Sequence, residues 1–237
     1  MSAVASLSLV VPAYNEALNI GACLAEARAA FAALAIPEWE IVVVDDGSAD
    51  GTSAAVREHA AGDARIRVVR HEVNRGYGGA LHTGIAAARH AWIFITDADL
   101  QFRIADLGLL LPLAETCDFV QGHRIRRADP ASRVLLGRVY RGLVHTVARM
   151  PVRDPECSFR LVRTAILRGL PIVTWGPLVP VELVYRAARA GAVFGEVGVV
   201  HRPRQHGTSN ALTLRSIRLF AADAVKLLRA QRSAEKA

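Results

Sequence analysis

Short apolar runs alternate with longer, small-residue segments over the first hundred positions of the chain. Residues 7–11 form one such run, closed by Pro12; 39–44 form a second, with Ile41-Val42-Val43-Val44 at its centre; 66–70 form a third and 92–96 a fourth. Runs this short and this rich in branched side chains predict strands buried on both faces. The segments between them are Ala-rich and open on polar residues, which predicts helices from Asn15-Glu16 to about 34, from Asp50-Gly51-Thr52 onward, and from Asn74-Arg75-Gly76 to about 89. Four strand-then-helix units in succession predict a parallel, doubly wound α/β sheet with right-handed crossovers and flanking helices.

The alternation loosens after Gln101. Residues 117–121 read as another strand leading into a basic cluster at 122–127, and 131–150 as a helical segment carrying Arg133, Arg138, Arg141 and Arg149. A turn at 154–158 precedes a strand-like run, 182–190 reads as a helix and 193–200 as a last strand. From 212 to 232, Leu214, Ile217, Phe220, Ala224, Val225 and Leu228 recur at helical spacing beside Arg215, Arg218, Lys226 and Arg229. Such a basic amphipathic helix suits either an anionic membrane surface or packing on the body of the protein. The expected organisation is one domain over 1–210 with an appended basic helix and tail over 211–237.

Composition narrows the class. An apolar fraction of 52% with 22% charged residues over 237 positions supports a full core and excludes disordered or collagen-like chains. No apolar run reaches the roughly 18–20 residues that span a bilayer, and the first residues lack a basic leader pattern, so neither a membrane span nor a cleaved signal is expected. Cys23, Cys117 and Cys157 are widely spaced, which suits reduced, buried thiols in a cytoplasm. A net charge of +7 implies an anionic partner: nucleic acid, phosphate ligands or an acidic membrane face. The basic residues lack interleaved aromatics and no recognition motif is present, which argues against nucleic acid.

The candidate chemistry lies where the predicted strands end. Pro12-Ala13-Tyr14-Asn15-Glu16 follows the first, Asp45-Asp46-Gly47-Ser48 the second, Asn74-Arg75-Gly76 the third, and Asp97-Ala98-Asp99-Leu100-Gln101 the fourth. In open α/β sheets ligands bind beyond the carboxyl ends of the strands, at the point where strand order reverses. Asp97, Asp99 and Gln101 offer hard oxygen ligands for Mg²⁺ or Mn²⁺, which are commonly shared between protein carboxylates and substrate phosphates. Asp is also a favoured helix N-cap, so the pair alone is ambiguous; its place among four polar clusters favours the cation. The glycines at 76, 78 and 79 are weak evidence for a dinucleotide fold, because they follow the third strand and lack the acidic partner.

Taken in order, these motifs resemble the family 2 glycosyltransferases of the GT-A fold, and within them the polyprenyl-phosphate hexosyltransferases of the dolichol-phosphate mannose synthase type. The resemblance covers nearly the whole chain. It implies that Pro12, Tyr14, Glu16, Asp45 and Asp46 line a nucleoside pocket, with Asp45 or Asp46 reading the base. It implies that Asp97, Ala98, Asp99 and Gln101 form the metal and donor-diphosphate motif, that Arg124 and Arg133 receive an acceptor phosphate, and that Arg204 closes over the donor diphosphate. Two departures stand out: Asn210 occupies a position where many relatives carry Lys, and Asp154-Pro155-Glu156-Cys157-Ser158-Phe159-Arg160 replaces the familiar D-x-x-S-G-F-R.

Taken together, the expected activity is inverting, metal-dependent transfer of a hexose from a UDP- or GDP-sugar to a polyprenyl phosphate, at the cytoplasmic face of the membrane. A partner subunit or homo-oligomer is compatible with it. Transfer to a soluble hydroxyl compound is the competing reading. A lipid phosphate is already a nucleophile at neutral pH, whereas a hydroxyl acceptor needs a nearby base, for which Asp154 and Glu182 are the late carboxylates to consider.

Overall fold

The computed structural model describes residues 4–126, 150–207, 218–219 and 222–227. A seven-stranded sheet runs through it in the order β3-β2-β1-β4-β6-β5-β7. Its strands are β1 (Ser6–Ala13), β2 (Glu38–Asp45), β3 (Ile66–Arg70), β4 (Trp92–Ile95), β5 (Phe119–Arg126), β6 (Arg160–Arg163) and β7 (Phe194–Val200). β1 pairs in parallel with β2 and β4, and β2 with β3. β6 alone runs antiparallel, between β4 and β5, and β7 returns parallel to β5. The sheet is therefore mostly parallel, as the strand-helix alternation predicts, and strand order reverses at β1 and β4.

The antiparallel strand has a functional consequence. Because β6 runs opposite to β4, the residues just before it, including Ser158, lie at the carboxyl end of β4 beside Asp97.

Two apolar layers sandwich the sheet. Leu7, Leu9, Val11, Ile41, Val43, Trp92 and Phe94 face α1 (Ala17–Ala33) and α2 (Thr52–His59), which contribute Ile20, Leu24, Phe31 and Val56. The alternate residues Val10, Ile93 and Ile95 face α3 (Gly76–Ala87), α5 (Thr164–Gly169) and α6 (Val179–Arg189) through Leu81, Ile85, Leu167, Val179 and Leu183. Ile41 to Val44 show no exposed surface at all, which is why these strands read as unbroken apolar runs. Between β4 and β5 the chain forms the short helix α4 (Leu107–Leu110), flanked by 3₁₀ turns.

Two boundaries and one element differ from the sequence expectation. β5 continues through the basic cluster to Arg126, because β7 pairs with it along that length, with an irregularity between Arg124 and Arg126. The helix expected from 182 starts at Val179, where Pro180 occupies a first-turn position whose N–H no helix requires. The short helix α5, a whole element beyond the expected ones, has too few residues to show an apolar period.

Candidate active site

The loops after β1 and β2 are knitted into one wall. Asn15 takes a positive φ of 56°, a conformation Asn tolerates better than most residues, and this turns its backbone N–H to Ser48 Oγ (2.9 Å) and its Oδ1 to the Ala49 N–H (2.9 Å). The Glu16 N–H donates to Thr52 Oγ1 at 2.9 Å and the Ala17 N–H to Asp50 Oδ2 at 3.1 Å. Pro12 lies within β1 at no cost to the ladder. Pairing of β1 with β4 stops at Val10, so the side on which Pro12 lacks an N–H has no partner strand.

Asp45 and Asp46 are both buried, and both are engaged from within. Asp45 accepts from the Ser48 N–H (2.9 Å), the Ser53 hydroxyl and Arg70 Nη1 (3.2 Å). Burial works against its charge, but the Ser48 and Ser53 hydrogen bonds and Arg70 outweigh it and hold the carboxyl below the usual range. Asp46 accepts from the Arg75 and Gly76 N–H groups, each at 2.8 Å, and lies 2.7 Å from His71 Nδ1. It thereby fixes the start of α3 against the end of β2.

The fourth strand ends in the acidic pair. Asp97 Oδ2 accepts the Ser158 hydroxyl at 2.6 Å, and the partly buried Tyr77 lies against the same carboxylate. Burial first, and then the negative Asp97, push that tyrosine well above its ordinary pKa. Asp99 is buried too. Burial, then repulsion from Asp97, raise its carboxyl to about 7 even though Arg204 lies beside it. Leu100 follows at φ 58°, an unusual conformation for a bulky side chain, and is itself buried. The resulting turn aims Gln101 at the late segment: Gln101 Nε2 donates to the Arg202 carbonyl at 3.1 Å, and the Arg202 N–H donates to the Gln101 carbonyl at 2.7 Å.

Arg204 is drawn in over this turn. Its Nη1 lies 3.3 Å from Asp99 Oδ2, its Nη2 contacts Glu16 Oε1, and its Nε donates to the His206 carbonyl at 2.7 Å. Asn19 links the same parts, donating through Nδ2 to Glu16 Oε2 (2.6 Å) and to the His206 carbonyl (3.2 Å). Glu16, the Asp99–Gln101 turn and Arg204, far apart in the chain, thus converge at the reversal in strand order.

Arg124 has a different setting from an open phosphate receptor. Its Nε and Nη2 form a two-pronged pair with Asp154 Oδ2 and Oδ1 at 2.6 and 2.7 Å, and Glu156 lies 3.9 Å away. Burial opposes its charge, Asp154 more than compensates, and the guanidinium is held above its ordinary pKa. Arg133 falls outside the described residues. Glu182 has no exposed surface and accepts from the N–H groups of Val173 and Thr174, the Thr174 hydroxyl and Arg186. It pins the loop before α6.

Sequence reasoning missed several residues around the site. Tyr77 and Ser158 hold Asp97, and both stand inside stretches whose pattern drew attention without showing which side chain turns inward. Arg160 is only 1% exposed and donates to the carbonyls of Pro155, Cys157 and Pro180. Burial pulls its guanidinium below the ordinary value. Asp223, 1% exposed in the helical stretch 222–227, accepts from the Gly176 N–H at 2.7 Å and the Trp175 N–H at 3.3 Å. It is the acidic residue within 222–227, and it anchors that stretch while Val225 stays 47% exposed.

The Trp175 loop reaches the site through α3. The Gly78 N–H donates to the Trp175 carbonyl at 3.1 Å, and a Cβ on Gly78 would lie 2.5 Å from that carbonyl. Trp175 itself is 45% exposed and stacks on His82, ring centroids 4.7 Å apart. Among the described residues no third His, Cys, Asp or Glu joins Asp97 and Asp99 in a metal cage. The two carboxylates offer hard oxygen donors at one strand end, a set that could hold a divalent cation whose remaining ligands come from phosphates or water.

The architecture is that of the GT-A glycosyltransferases. Mannosyl-3-phosphoglycerate synthase from Rubrobacter xylanophilus aligns with a TM-score of 0.69 at 20% identity, over 98% of this chain and 76% of its own. Glucosyl-3-phosphoglycerate synthase from Mycobacterium tuberculosis, in complex with Mn²⁺, UDP-glucose and phosphoglyceric acid, aligns with a TM-score of 0.68 at 22% identity, over 91% of this chain and 77% of its own. At the level of sequence, residues 8–168 match the family described as glycosyl transferase family 2, and the chain belongs to that family. It is 29% identical over 223 residues to dodecaprenyl-phosphate galacturonate synthase from Rhizobium johnstonii, a match covering 90% of this chain but 64% of the relative. A glycosyltransferase from Mycobacterium tuberculosis is 32% identical over 208 residues, covering 86% of this chain and 88% of its own.

Proposed function

We propose that this glycosyltransferase moves a hexose, with inversion, from a nucleotide diphosphate sugar to a polyprenyl phosphate presented at an anionic, cytoplasmic membrane surface. The observation that carries the donor half is the pairing of Asp97 and Asp99 at the reversal in strand order, with Arg204 poised above them. A divalent cation held there, Mg²⁺ or Mn²⁺, would stabilise the charge that develops on the departing diphosphate. Tyr77 and Ser158 orient Asp97, while Gln101 ties the turn to the Arg202–Arg204 segment and supports the site from behind. Tyr14, exposed at the mouth beside Pro12, and the Asp45–Asp46 wall are assigned to the nucleoside.

The acceptor half rests on what surrounds the late carboxylates. Asp154 is taken up by Arg124, and Glu182 is sealed inside the α6 loop, so neither stands as the base a hydroxyl acceptor requires. A phosphate acceptor needs none. The Rhizobium johnstonii relative is named for a polyprenyl-phosphate product, which supports the same reading. Arg124 and Arg133 are assigned to positioning the acceptor phosphate, and the basic segment 211–237 to the membrane. Among the described residues no helix is long and apolar enough to cross a membrane.

The test is an acceptor competition. Labelled UDP- and GDP-sugars are incubated with Mn²⁺, the protein, and either polyprenyl phosphate in anionic vesicles or a set of soluble hydroxyl compounds. The expected result is solvent-extractable label that mild acid releases, as a glycosyl phosphate would. Label transferred only to soluble hydroxyl compounds overturns the lipid acceptor.

A further inference from the structure

Arg204 contacts Asp99, one of the two carboxylates assigned to the cation, and Glu16 beside it. Its guanidinium bridges Glu16 and Asp99 and its Nε donates to the His206 carbonyl, while the backbone on either side has a tie of its own: Arg202 through both of its backbone polar groups to Gln101, and His206 through its carbonyl to Asn19. The segment is therefore held at two points, and the Arg204 side chain between them can leave without the segment unravelling. Two buried acids beside Asp97 make a concentration of negative charge that needs a counter-charge whenever no metal is bound. Arg204 supplies it.

We propose that Arg204 is an exchangeable counter-cation, occupying Asp99 and Glu16 in the metal-free protein and passing to the donor diphosphate when the metal enters. This rests on the assignment of Asp97 and Asp99 to the metal. The exchange conserves charge: the acids trade a guanidinium for a divalent ion, and the guanidinium trades two carboxylates for a diphosphate, a ligand its fork geometry matches equally well. Metal alone must compete with Arg204. Metal and nucleotide together give Arg204 somewhere to go, so each strengthens the other's binding, reciprocally. Glu16 is then a positioning residue that parks Arg204 between turnovers.

The experiment measures Mn²⁺ affinity by electron paramagnetic resonance for the wild-type chain, Arg204→Met and Arg202→Met, without nucleotide and with UDP or GDP. Without nucleotide, Arg204→Met is expected to bind Mn²⁺ about tenfold tighter than wild type, because one unit charge within contact distance of the acids is gone. Arg202→Met, which removes a nearby charge whose side chain has no part in the bridge, is expected to change the affinity by less than about twofold. With nucleoside diphosphate the order reverses, and Arg204→Met binds the pair more weakly. Tryptic cleavage at the Arg204–Gln205 bond provides a second readout: slow in the metal-free protein, faster with Mn²⁺ alone, slow again with Mn²⁺ and nucleotide.

Equal gains in Arg204→Met and Arg202→Met, or no gain in Arg204→Met while wild type binds Mn²⁺ with nucleotide, overturn the exchange and leave the metal site standing. Absence of Mn²⁺ binding in every variant with every nucleotide overturns the metal assignment itself.

Discussion

Glu182→Gln separates a structural acid from a catalytic one. Glu182 Oε2 accepts from the Thr174 N–H at 2.8 Å and the Thr174 hydroxyl at 2.5 Å, Oε1 faces Arg186, and the Val173 N–H lies 3.0 and 3.2 Å from the two oxygens. Every partner donates. In glutamine one oxygen becomes an NH₂ group, and whichever way the amide turns, that donor meets either Arg186 or Thr174. The substitution thus loses one charge-assisted bond and leaves buried donors facing each other, a cost of about 2–4 kcal/mol. In a chain of this size that corresponds to a fall in melting temperature of roughly 5–15 °C. Circular dichroism melts measure the fall, and transfer assays well below the new midpoint are expected to retain activity within about threefold. An unchanged melting temperature together with abolished transfer would refute the structural reading and make Glu182 a base.

Other expectations follow from single contacts. Gly78→Ala places a Cβ 2.5 Å from the Trp175 carbonyl and from Val179 Cγ2, so it must push the loop off α3, costing about 1–3 kcal/mol and red-shifting tryptophan emission as Trp175 loses its seat on His82. Asp223→Ala frees the Trp175 and Gly176 N–H groups, and hydrogen exchange is expected to accelerate at those two amides and along 222–227 while α1 and α2 stay protected. The contribution of Asp99 to the stability of the metal-free protein is expected to fall as pH rises from about 4 to about 7. The Asp99 carboxyl is raised in the folded state, so the unfolded chain releases its proton first, and the contribution present below the unfolded value is gone above the folded one. In EDTA at pH 8, Asp99→Asn is therefore expected to melt higher than wild type, and near pH 4 to melt with it.

The strand-helix alternation was legible because parallel strands covered on both faces must be apolar throughout, and 41–44 and 92–95 show this directly. The four polar clusters were legible for the same reason, since each interrupts such a run at the carboxyl end. The antiparallel β6 was not. Four residues, Arg160–Arg163, carry no sign of direction, yet direction is what delivers Ser158 to Asp97. Roles inside the site were blurred wherever one residue type serves two purposes. Asp46 caps α3 as firmly as it could read a base, and Arg124 is a free cation in sequence but half of an ion pair in space. The 3.6-residue spacing of the tail pointed to an apolar arc, and Ala224 of that arc does pack on the core, but the hydrogen bonds that anchor the stretch come from Asp223, which the arc did not include.

The central claim is that Asp97 and Asp99 bind a divalent cation together with the donor diphosphate. Isothermal titration of Mn²⁺ with a panel of nucleoside diphosphates, on wild type and Asp99→Asn, tests it most directly. The expected result is one base for which wild type binds nucleotide on the order of a hundredfold tighter with Mn²⁺ than in EDTA, an enhancement Asp99→Asn loses while remaining folded. Equal, metal-independent nucleotide binding by the two proteins would contradict it.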